Sequence, residues 1–439
     1  MLKIIGNSAM NRHLFVIAFA ISSFSLCSCT ADDNEQASYP DDYATGVNIY
    51  KPIVSWPLSD SQVSSAIHLN DFSISMTRTL WNSYKSRNES FVASPLSIAI
   101  ALAMVAEGAD DETLEEIINV LGFGDIGLDR MSDILASVLS GINEESDSLT
   151  LCIANACYVN HSFGLYQEYV ECMNQAFSAD VAMLDFSNPN TVASKVNNWC
   201  KQKTNGNIDS ILGADDIDNN TLVIWLNAIH MRGKWYWPFK KELSHTMDFI
   251  RVNGNAVPLT MMKSDISVPY LNSTHFAAVR LPYCSKRLDM TVILPYDAAS
   301  LDNLLAQLSQ EYINNIDEAM KETEVSIFLP RFSTSFYADD SVKAALQEMG
   351  ICRAFDISKA QINKLSPSSN AYISLIRQKA EIQVCEDGTE ASAVTVIKGD
   401  KTSVDSHARI DFMANHSFIY LITDRQTGLL LFTGVYDGD

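Results

Sequence analysis

A ten-residue run near the C-terminus, Glu386 to Thr395, constrains the fold of this chain more than any other feature of the sequence. From Thr389 onward the run alternates between two sets of residues, so an extended backbone would present only small side chains on one face. The small set is Thr389, Ala391, Ala393 and Thr395, and the other set is Glu390, Ser392 and Val394. A strand with such a face can enter between two existing strands, whereas large side chains there would overpack the interior at about 1 to 3 kcal/mol per site. Gly388, directly before the alternation, gives the backbone freedom to hinge.

The overall composition is that of an ordinary globular protein with a strong acidic excess. The chain has 439 residues, enough for one large core or two medium domains, and its net charge is −22. Residues 1–28 contain two basic residues, Lys3 and Arg12, and no acidic ones, so the chain without them carries −24. A field of that sign repels nucleic acids and anionic membrane surfaces. We therefore expect no nucleic-acid partner.

Residues 1–28 have the pattern of a lipoprotein signal peptide. Basic residues precede an apolar run from Leu14 to Leu26, which is too short for a membrane-spanning helix. The sequence Leu26-Cys27-Ser28-Cys29 resembles a bacterial lipobox. That resemblance implies that Cys29 is lipidated and becomes the mature N-terminus, whereas cleavage by an ordinary signal peptidase would give a soluble product. Translation can begin at Met1 or at Met10.

Residues 29–61 are polar and show no sustained periodicity, which indicates a tether between Cys29 and a folded body. Asp32, Asp33 and Glu35 follow Cys29 closely and resemble the surface-export signal of lipoproteins in some Gram-negative bacteria. The resemblance implies an outer-membrane lipoprotein at the cell surface that contacts the membrane only through its N-terminal lipid. Attachment at the periplasmic face and secretion are the alternatives.

The remaining residues, 62–439, have the patterns of one mixed domain. Leu69, Phe72, Met76 and Leu80 recur at helical spacing, and Ser94-Pro95 marks the start of a helix that is apolar nearly all round. Short runs rich in β-formers cover residues 151–159, 221–231, 288–294, 325–330, 418–423 and 429–435. Helices and strands do not alternate regularly, which indicates an α+β fold. Seven cysteines follow Cys29 without paired spacing, and we expect most of them to be buried thiols.

Several short segments, in this order along the chain, resemble landmarks of the serpin family. They are Phe91 to Ile98 with its continuation to Ala109, Val196 to Trp199 with Thr204 to Ile208, Leu226 to Ile229 with Gly233 to Trp235 and Pro238-Phe239, Leu281 to Tyr283, Leu329 to Phe332, Met349-Gly350, and Phe432 to Gly434. Each match is weak alone, but their order extends from about Ile67 to Val435. The chain therefore resembles a serpin over nearly all of its predicted domain.

The resemblance implies both a fold and a function. The fold is an α+β serpin fold with three β-sheets, eight to nine helices and an exposed reactive-centre loop at about residues 388–408. The function is irreversible suicide-substrate inhibition of serine proteases, with insertion of the cleaved loop into the main sheet. We expect a monomer without a cofactor, whose partners are elastase-like and trypsin-like serine proteases, with cysteine proteases as a further candidate class.

The resemblance also assigns roles to individual residues. The run from Glu386 to Thr395 falls where serpins have the hinge of the reactive-centre loop. The polar cluster at which two strands of the main sheet part is expected at Ser94, Ser97 and Asn227, with Trp235 as the aromatic residue above it. Gln378 stands where most members have a histidine, and Ser417 stands where a proline is usual; we expect the serine to change only local stiffness.

The position of the reactive bond follows from counting residues in the loop. Fourteen residues after Gly388 lies Thr402, followed by Ser403, and this bond would suit an elastase-like pocket that accepts small side chains. Lys401, one residue earlier, would suit a trypsin-like pocket with an acidic floor. Both the 401–402 bond and the 402–403 bond remain open.

Two other classes of function compete with inhibition. An enzyme would need a catalytic motif, but the sequence has no GxSxG, no HExxH and no GxxxxGK pattern. Gly122 to Gly127 matches GxGxxG, but it follows an amphipathic helix and opens no obvious helix, so we interpret it as a helix stop and turn. The second alternative is a non-inhibitory serpin that acts as a binding protein or as a simple protease substrate. The small residues of the alternating run argue against it.

Overall fold

The computed structural model describes residues 67–206, 208–217, 221–337, 340–367, 371–373, 378–389 and 409–439. Nine α-helices lie within these ranges: α1 (His68–Lys85), α2 (Pro95–Gly108), α3 (Asp111–Val120), α4 (Leu128–Ile142), α5 (Gln167–Ala176), α6 (Pro189–Lys203), α7 (Leu301–Gln307), α8 (Gln310–Ala319) and α9 (Asp340–Met349). Four 3-10 turns cover Ala214–Asp216, Lys241–Leu243, Ala298–Ser300 and Arg353–Phe355.

Helix α2 lies at the centre of the molecule, as its continuous apolar sequence predicts. Ser94 caps its N-terminus by accepting a hydrogen bond from the backbone N–H of Ser97, and Pro95 occupies the first helical position. Every residue of the helix except Ala101 and Glu107 is buried. A helix with no polar face is stable only when other elements cover all of its sides.

Sixteen strands lie in the described ranges and form two continuous hydrogen-bonded sets of seven and nine strands, each of which we call a ladder. They are β1 (Phe91–Ala93), β2 (Glu144–Glu145), β3 (Leu149–Asn160), β4 (Ala179–Leu184), β5 (Val223–Lys234), β6 (His245–Ile250), β7 (Ala256–Asn272), β8 (Phe276–Pro282), β9 (Leu288–Pro295), β10 (Lys321–Pro330), β11 (Phe332–Tyr337), β12 (Lys379–Cys385), β13 (Gly388–Thr389), β14 (Ile410–Met413), β15 (Phe418–Asp424) and β16 (Leu430–Tyr436).

The main sheet contains seven strands in the order β11-β12-β13-β5-β3-β2, and β4 pairs with β3 in parallel. Helix α6 covers part of its outer face, where Val196 and Cys200 belong to a small apolar cluster with Leu226 and Ala228 of β5. The opposite side of β5, which includes Ile229 and Met231, belongs to the large hydrophobic core. Because successive residues of a strand point to opposite faces, both sides of this sheet are packed.

The second ladder contains nine strands in the order β1-β16-β15-β9-β8-β7-β10-β14, with β6 also paired to β7. Strand β7 divides it into two sheets: Met261 to Tyr270 pair with β10, whereas Tyr270 to Asn272 pair with β8. In the described part of the chain, these two sheets, the main sheet and the nine helices confirm the predicted α+β fold.

The turn between α3 and α4 corrects one detail of the sequence analysis. Gly122 and Gly127 adopt positive φ angles of 83° and 82°, as expected for a helix stop and turn. A helix does follow, however, because α4 begins directly after Gly127. The residue before α4 is a glycine, which supplies no side-chain cap, so the sequence lacks the Ser, Thr, Asp or Asn that most clearly marks a helix start.

The predicted signal peptide (1–28), the tether (29–61) with Cys29, and residues 62–66 lie outside the described residues, so these boundaries stay predictions. Of the helices that the structure describes, none is both long and apolar enough to cross a bilayer.

Candidate insertion site and hinge

Two strands of the main sheet, β5 and β12, are linked at one end by the short strand β13. Gly388 pairs with Lys234 on β5 and with Cys385 on β12. Thr389 pairs in the same antiparallel sense with Gly233 and Val384. Within the described ranges, no pairing joins β5 directly to β12. Gly388 and Thr389, the third and fourth residues of the predicted hinge run, therefore already form a strand between these neighbours.

The two residues of β13 are fixed by their surroundings. The side chain of Thr389 faces the core and is 1% exposed, and its hydroxyl lies 2.7 Å from the hydroxyl of Tyr283. A Cβ atom added to Gly388 would lie 2.1 Å from the carbonyl oxygen of Gly233. Glycine is required at position 388 because the two backbones approach so closely, which adds a steric reason to its predicted role as a hinge.

Trp235 links this end of the main sheet to the second ladder. Its indole Nε1 donates to the carbonyl oxygen of Cys385 at 2.9 Å, and its backbone N–H donates to the carbonyl oxygen of Asp387 at 3.1 Å. Its ring stacks on Tyr283 with centroids 4.6 Å apart and an angle of 17° between the planes. Trp235 therefore holds residues 385–387 against the body of the protein.

Two carboxylates precede β13, and both are paired with basic side chains. Glu386 is 2% exposed and accepts hydrogen bonds from Arg331 and from the hydroxyl of Ser244, the latter at 2.7 Å. Burial raises the pKa of Glu386, but these hydrogen bonds outweigh burial and hold the pKa below its usual range. Asp387 accepts a hydrogen bond from Nζ of Lys241 at 2.7 Å. We call residues 386–389 with Gly233, Trp235 and Tyr283 the hinge end.

We use the name gate for the four polar residues predicted at the parting of the strands: Ser94, Ser97, Asn227 and Gln378. The side-chain amide of Gln378 donates to the carbonyl oxygen of Ser94 at 2.7 Å and accepts from its backbone N–H at 3.3 Å. On β5, Nδ2 of Asn227 donates to Oδ1 of Asn155 at 2.6 Å. Asn155 in turn donates to the carbonyl oxygen of Phe177 at 2.7 Å.

Hydrogen bonding at the gate is incomplete. Among the described residues, neither Oγ of Ser97 nor Oδ1 of Asn227 has a hydrogen-bond partner, although both atoms are buried. An unpaired buried acceptor or hydroxyl costs roughly 1 to 3 kcal/mol. The gate can therefore gain stability from a polar group that arrives between β5 and β12 at this level.

The described residues include some of the predicted site residues and not others. The hinge end brings together Glu386, Gly388, Thr389 and Trp235. At the gate, Ser94 bonds Gln378. Asn227 instead bonds Asn155 on the neighbouring strand of the main sheet. The other predicted hinge residues and the predicted reactive-bond residues lie outside the described residues: Glu390, Ala391, Ser392, Ala393, Val394, Thr395, Lys401, Thr402 and Ser403. Their roles stay predictions.

Two residues that sequence reasoning left without a specific role belong to these networks. Tyr283 enters the sequence analysis only as part of a landmark segment. Ser417 is fully buried, and its hydroxyl donates to Asp437 while its backbone N–H donates to the carbonyl oxygen of Ile250 at 3.2 Å. A proline could make neither bond, so Ser417 does more than change stiffness.

The cysteines and acidic residues of the described part form neither a disulfide nor a metal site. All seven cysteines of the described part are free, but only Cys157 and Cys200 are buried, so the expectation that most are buried is wrong. Burial raises the pKa of each of these two thiols to about 12, which makes them unreactive. Among the described residues, no three His, Cys, Asp or Glu side chains could hold a metal ion together.

Comparison with known proteins agrees with this architecture. Residues 68–437 match the family model described as "Serpin (serine protease inhibitor)". The three sheets and nine helices of the described residues are those of the serpin fold. The chain is a member of the serpin family.

Relatives come from several branches of life. Serpin B3 from Homo sapiens is 29% identical over 80% of this chain and 94% of its own length. Serpin-Z10 from Arabidopsis thaliana is 31% identical, with 80% and 91% covered. A serpin-like protein from Thermococcus kodakarensis is 30% identical and covers 92% of each chain.

Solved structures agree at the level of the whole fold. The thermophilic serpin tengpin in its native state superposes with a TM-score of 0.77 and 27% identity, covering 89% of this chain and 97% of its own. The cleaved serpin 42Da superposes with a TM-score of 0.75 and 27% identity, covering 87% and 100%.

Proposed function

We propose that this protein is an irreversible suicide-substrate inhibitor of serine proteases that traps its target by inserting the cleaved loop between β5 and β12. The observation that carries the proposal is the double pairing of Gly388 and Thr389. A strand that already begins between two parted neighbours can lengthen in the same direction once its far end is released. The alternating small residues that follow Thr389 are the ones such a strand needs.

The register of β13 predicts the partners of the inserted residues. Continuing that register would bring Ala391 opposite Met231 and Ile382, and Ala393 opposite Ile229 and Ala380. These four neighbours are buried members of the hydrophobic core. Only small side chains can join them without overpacking, which at about 1 to 3 kcal/mol per site would slow or prevent insertion.

The same register would bring Thr395 to the gate, opposite Asn227 and Gln378. The threonine hydroxyl can both donate and accept a hydrogen bond. Arriving at that level, it would supply a donor next to the unpaired Oδ1 of Asn227. The inserted strand would thus satisfy a polar group that has no partner among the described residues, in addition to forming two new rows of backbone hydrogen bonds.

The chemistry of the trap is that of the protease. The serine Oγ of the protease attacks the carbonyl carbon of Lys401 or Thr402, an ester forms, and the amide bond to the next residue breaks as its nitrogen takes a proton and leaves. The new chain end is then free to follow β13 into the sheet with the protease attached. Displacement of the protease prevents hydrolysis of the ester because its catalytic groups lose their alignment.

A denaturing gel tests the proposal directly. The protein is incubated with trypsin or with an elastase, and no other protease inhibitor is added. The products are then separated on the gel. A covalent band at the summed mass supports inhibition, and a nicked chain beside active protease shows a non-inhibitory substrate instead. Thermal unfolding adds a second measurement: cleavage near Thr402 should raise Tm sharply, and an unchanged Tm would contradict strand insertion.

One variant and one sequencing measurement identify the reactive bond. Lys401→Ala should abolish inhibition of trypsin while sparing inhibition of elastase if trypsin uses the 401–402 bond. Sequencing the new N-terminus of the cleaved chain identifies the bond independently. Equal loss toward both proteases would show that a single bond serves both classes of enzyme. Cysteine proteases can be assayed in the same way.

We further propose that the mature protein is a surface lipoprotein anchored through Cys29. The supporting features are the lipobox-like sequence and the acidic residues that follow it. Radiolabelled palmitate should enter the wild-type protein and not the Cys29→Ala variant. Protease added to intact cells should degrade the protein, and protection from that protease would place it at the periplasmic face.

A further inference from the structure

The hydroxyl groups of Tyr283 and Thr389 meet at the hinge end, 2.7 Å apart. We propose that Tyr283 is a positioning residue that holds Thr389 between β5 and β12 as the fixed first residue of the inserting strand. This inference rests on the inhibitory function proposed above and adds to it a residue that sets the efficiency of trapping.

Tyr283 reaches the hinge from the other ladder, directly after β8. Its ring fits beneath β5 because residue 233 has no side chain: a Cβ on Gly233 would lie 2.6 Å from Cδ1 of Tyr283. On its other side the ring stacks on Trp235, and residues 235 and 283 also form an isolated antiparallel bridge. The position of the phenol is therefore fixed before the loop is cut.

Burial makes the contact between the two hydroxyls significant. Tyr283 has no exposed surface and Thr389 is 1% exposed. Burial raises the pKa of Tyr283 far above its ordinary value, so the phenol stays neutral and can donate or accept a hydrogen bond. If either hydroxyl is removed, the other is left in the core without this partner, which favours withdrawal of β13 from the sheet.

The position of Thr389 matters because insertion competes with hydrolysis of the acyl-enzyme. When Thr389 is already paired on both sides, each further residue extends an existing strand. When it is not, the chain must first order this residue between β5 and β12, which carries an entropic cost before any new contact forms. A slower start lets more acyl-enzymes hydrolyse, so more inhibitor molecules are consumed for each protease trapped.

Variants that remove one hydroxyl test this inference. For Tyr283→Phe and Thr389→Val, the ratio of hydrolysed to trapped acyl-enzymes, which is the number of inhibitor molecules consumed per protease inactivated minus one, should rise about fivefold, the factor expected from losing one typical hydrogen bond. The double variant should be no worse than either single one, because no hydroxyl remains unpaired. Tyr169→Phe is the matched control, since that buried hydroxyl bonds Met104 and Trp225 away from the hinge end. It should lower Tm but leave the stoichiometry unchanged.

The inference is wrong if Tyr283→Phe leaves the stoichiometry at the wild-type value, or if Tyr169→Phe raises it equally. Hydrogen exchange of the backbone amides of residues 385–389 separates this result from a failure of the proposed function. These amides should exchange faster in Tyr283→Phe than in the wild type and not in Tyr169→Phe, whether or not any protease is trapped. A wild type that traps no protease overturns the inhibitory function, whereas unchanged exchange overturns the role of Tyr283.

Discussion

The hinge end and the gate lie at different levels of the same two strands, and they are built in opposite ways. At the hinge end the backbone is paired on both sides and the carboxylates have basic partners. The hydroxyl of Thr389 is hydrogen-bonded to the hydroxyl of Tyr283. At the gate, two buried oxygens have no hydrogen-bond partner among the described residues. If the loop inserts as proposed, this difference predicts that insertion begins at the hinge end, where the first contacts already exist, and that the inserted strand adds hydrogen bonds at the gate.

The largest effect should come from forcing a large charged residue into the hinge end. Thr389→Arg places a guanidinium at a position that is 1% exposed, between Val384 and Gly233. Because an unpaired buried charge is very unfavourable, β13 should leave the sheet, and inhibitor consumed per protease should rise more than about tenfold. The assay is titration of protease activity with increasing amounts of inhibitor.

Glu390→Arg is the matched control for that variant, because the alternating pattern predicts that residue 390 faces away from the core. It should retain trapping. Equal loss in both variants would show that charge near the hinge matters and burial does not.

A smaller effect should follow from crowding the two backbones at the same end. In Gly388→Ala the new Cβ would lie 2.1 Å from the carbonyl oxygen of Gly233, so one of the strands must move. We expect a loss of about 2 to 4 kcal/mol in the free energy of unfolding, measured by denaturant titration. Gly213→Ala, where the nearest atom to a new Cβ is 3.5 Å away, should change stability little. If both variants behave alike, close approach at Gly388 is not what fixes the hinge end.

At the gate, removing a partner should matter more than removing an unpaired group. Gln378→Leu takes away the side chain that bonds both the N–H and the C=O of Ser94, and about 1 to 3 kcal/mol should be lost. Ser97→Ala removes a hydroxyl without a described partner and should be neutral or slightly stabilising. A large loss for Ser97→Ala would contradict the contrast between the two ends.

The smallest effect concerns pH and His230, which lies on β5 between the gate and the hinge end. Burial, with a further contribution from Arg232, lowers the pKa of His230 from 6.5 to about 4. Between these values the unfolded chain binds a proton that the folded protein does not, so stability rises with pH across this window and is lost as the pH falls. Replacing His230 by Gln should flatten the dependence by on the order of 1 to 2 kcal/mol, measured as Tm between pH 4 and 7. The exposed His245→Gln is the control, and an equal flattening there would exclude His230 as the cause.

The sequence predicts the elements of this fold better than it predicts the contacts between them. Helix α2 is recognisable because its apolar residues leave no polar face and Ser94-Pro95 marks its start. Helix α4 was not predicted because Gly127 supplies no cap. Simple alternation predicts that Thr389 faces inward, and Thr389 is 1% exposed.

Contacts between distant segments could not be predicted in the same way. Thr389 and Tyr283 are 106 residues apart and come from different ladders, and the space that lets them meet exists only because residue 233 is a glycine. Ser417 likewise bonds Asp437, a partner that neither periodicity nor a short motif can identify. Such contacts depend on how whole sheets pack against each other, so a single sequence does not show which of its residues will meet.

The strand order of the second ladder has a consequence for the chain after the proposed cleavage. The chain downstream of the predicted reactive bond supplies β14, β15 and β16, and β15 and β16 lie between β9 and β1 rather than at an edge. Cleavage of the backbone near residue 402 would therefore give two polypeptides that stay associated through the strands of this sheet. The shorter fragment should remain embedded and migrate with the longer one in any non-denaturing separation. If a protease is trapped as proposed, both fragments and the protease would then be cleared together as a single complex.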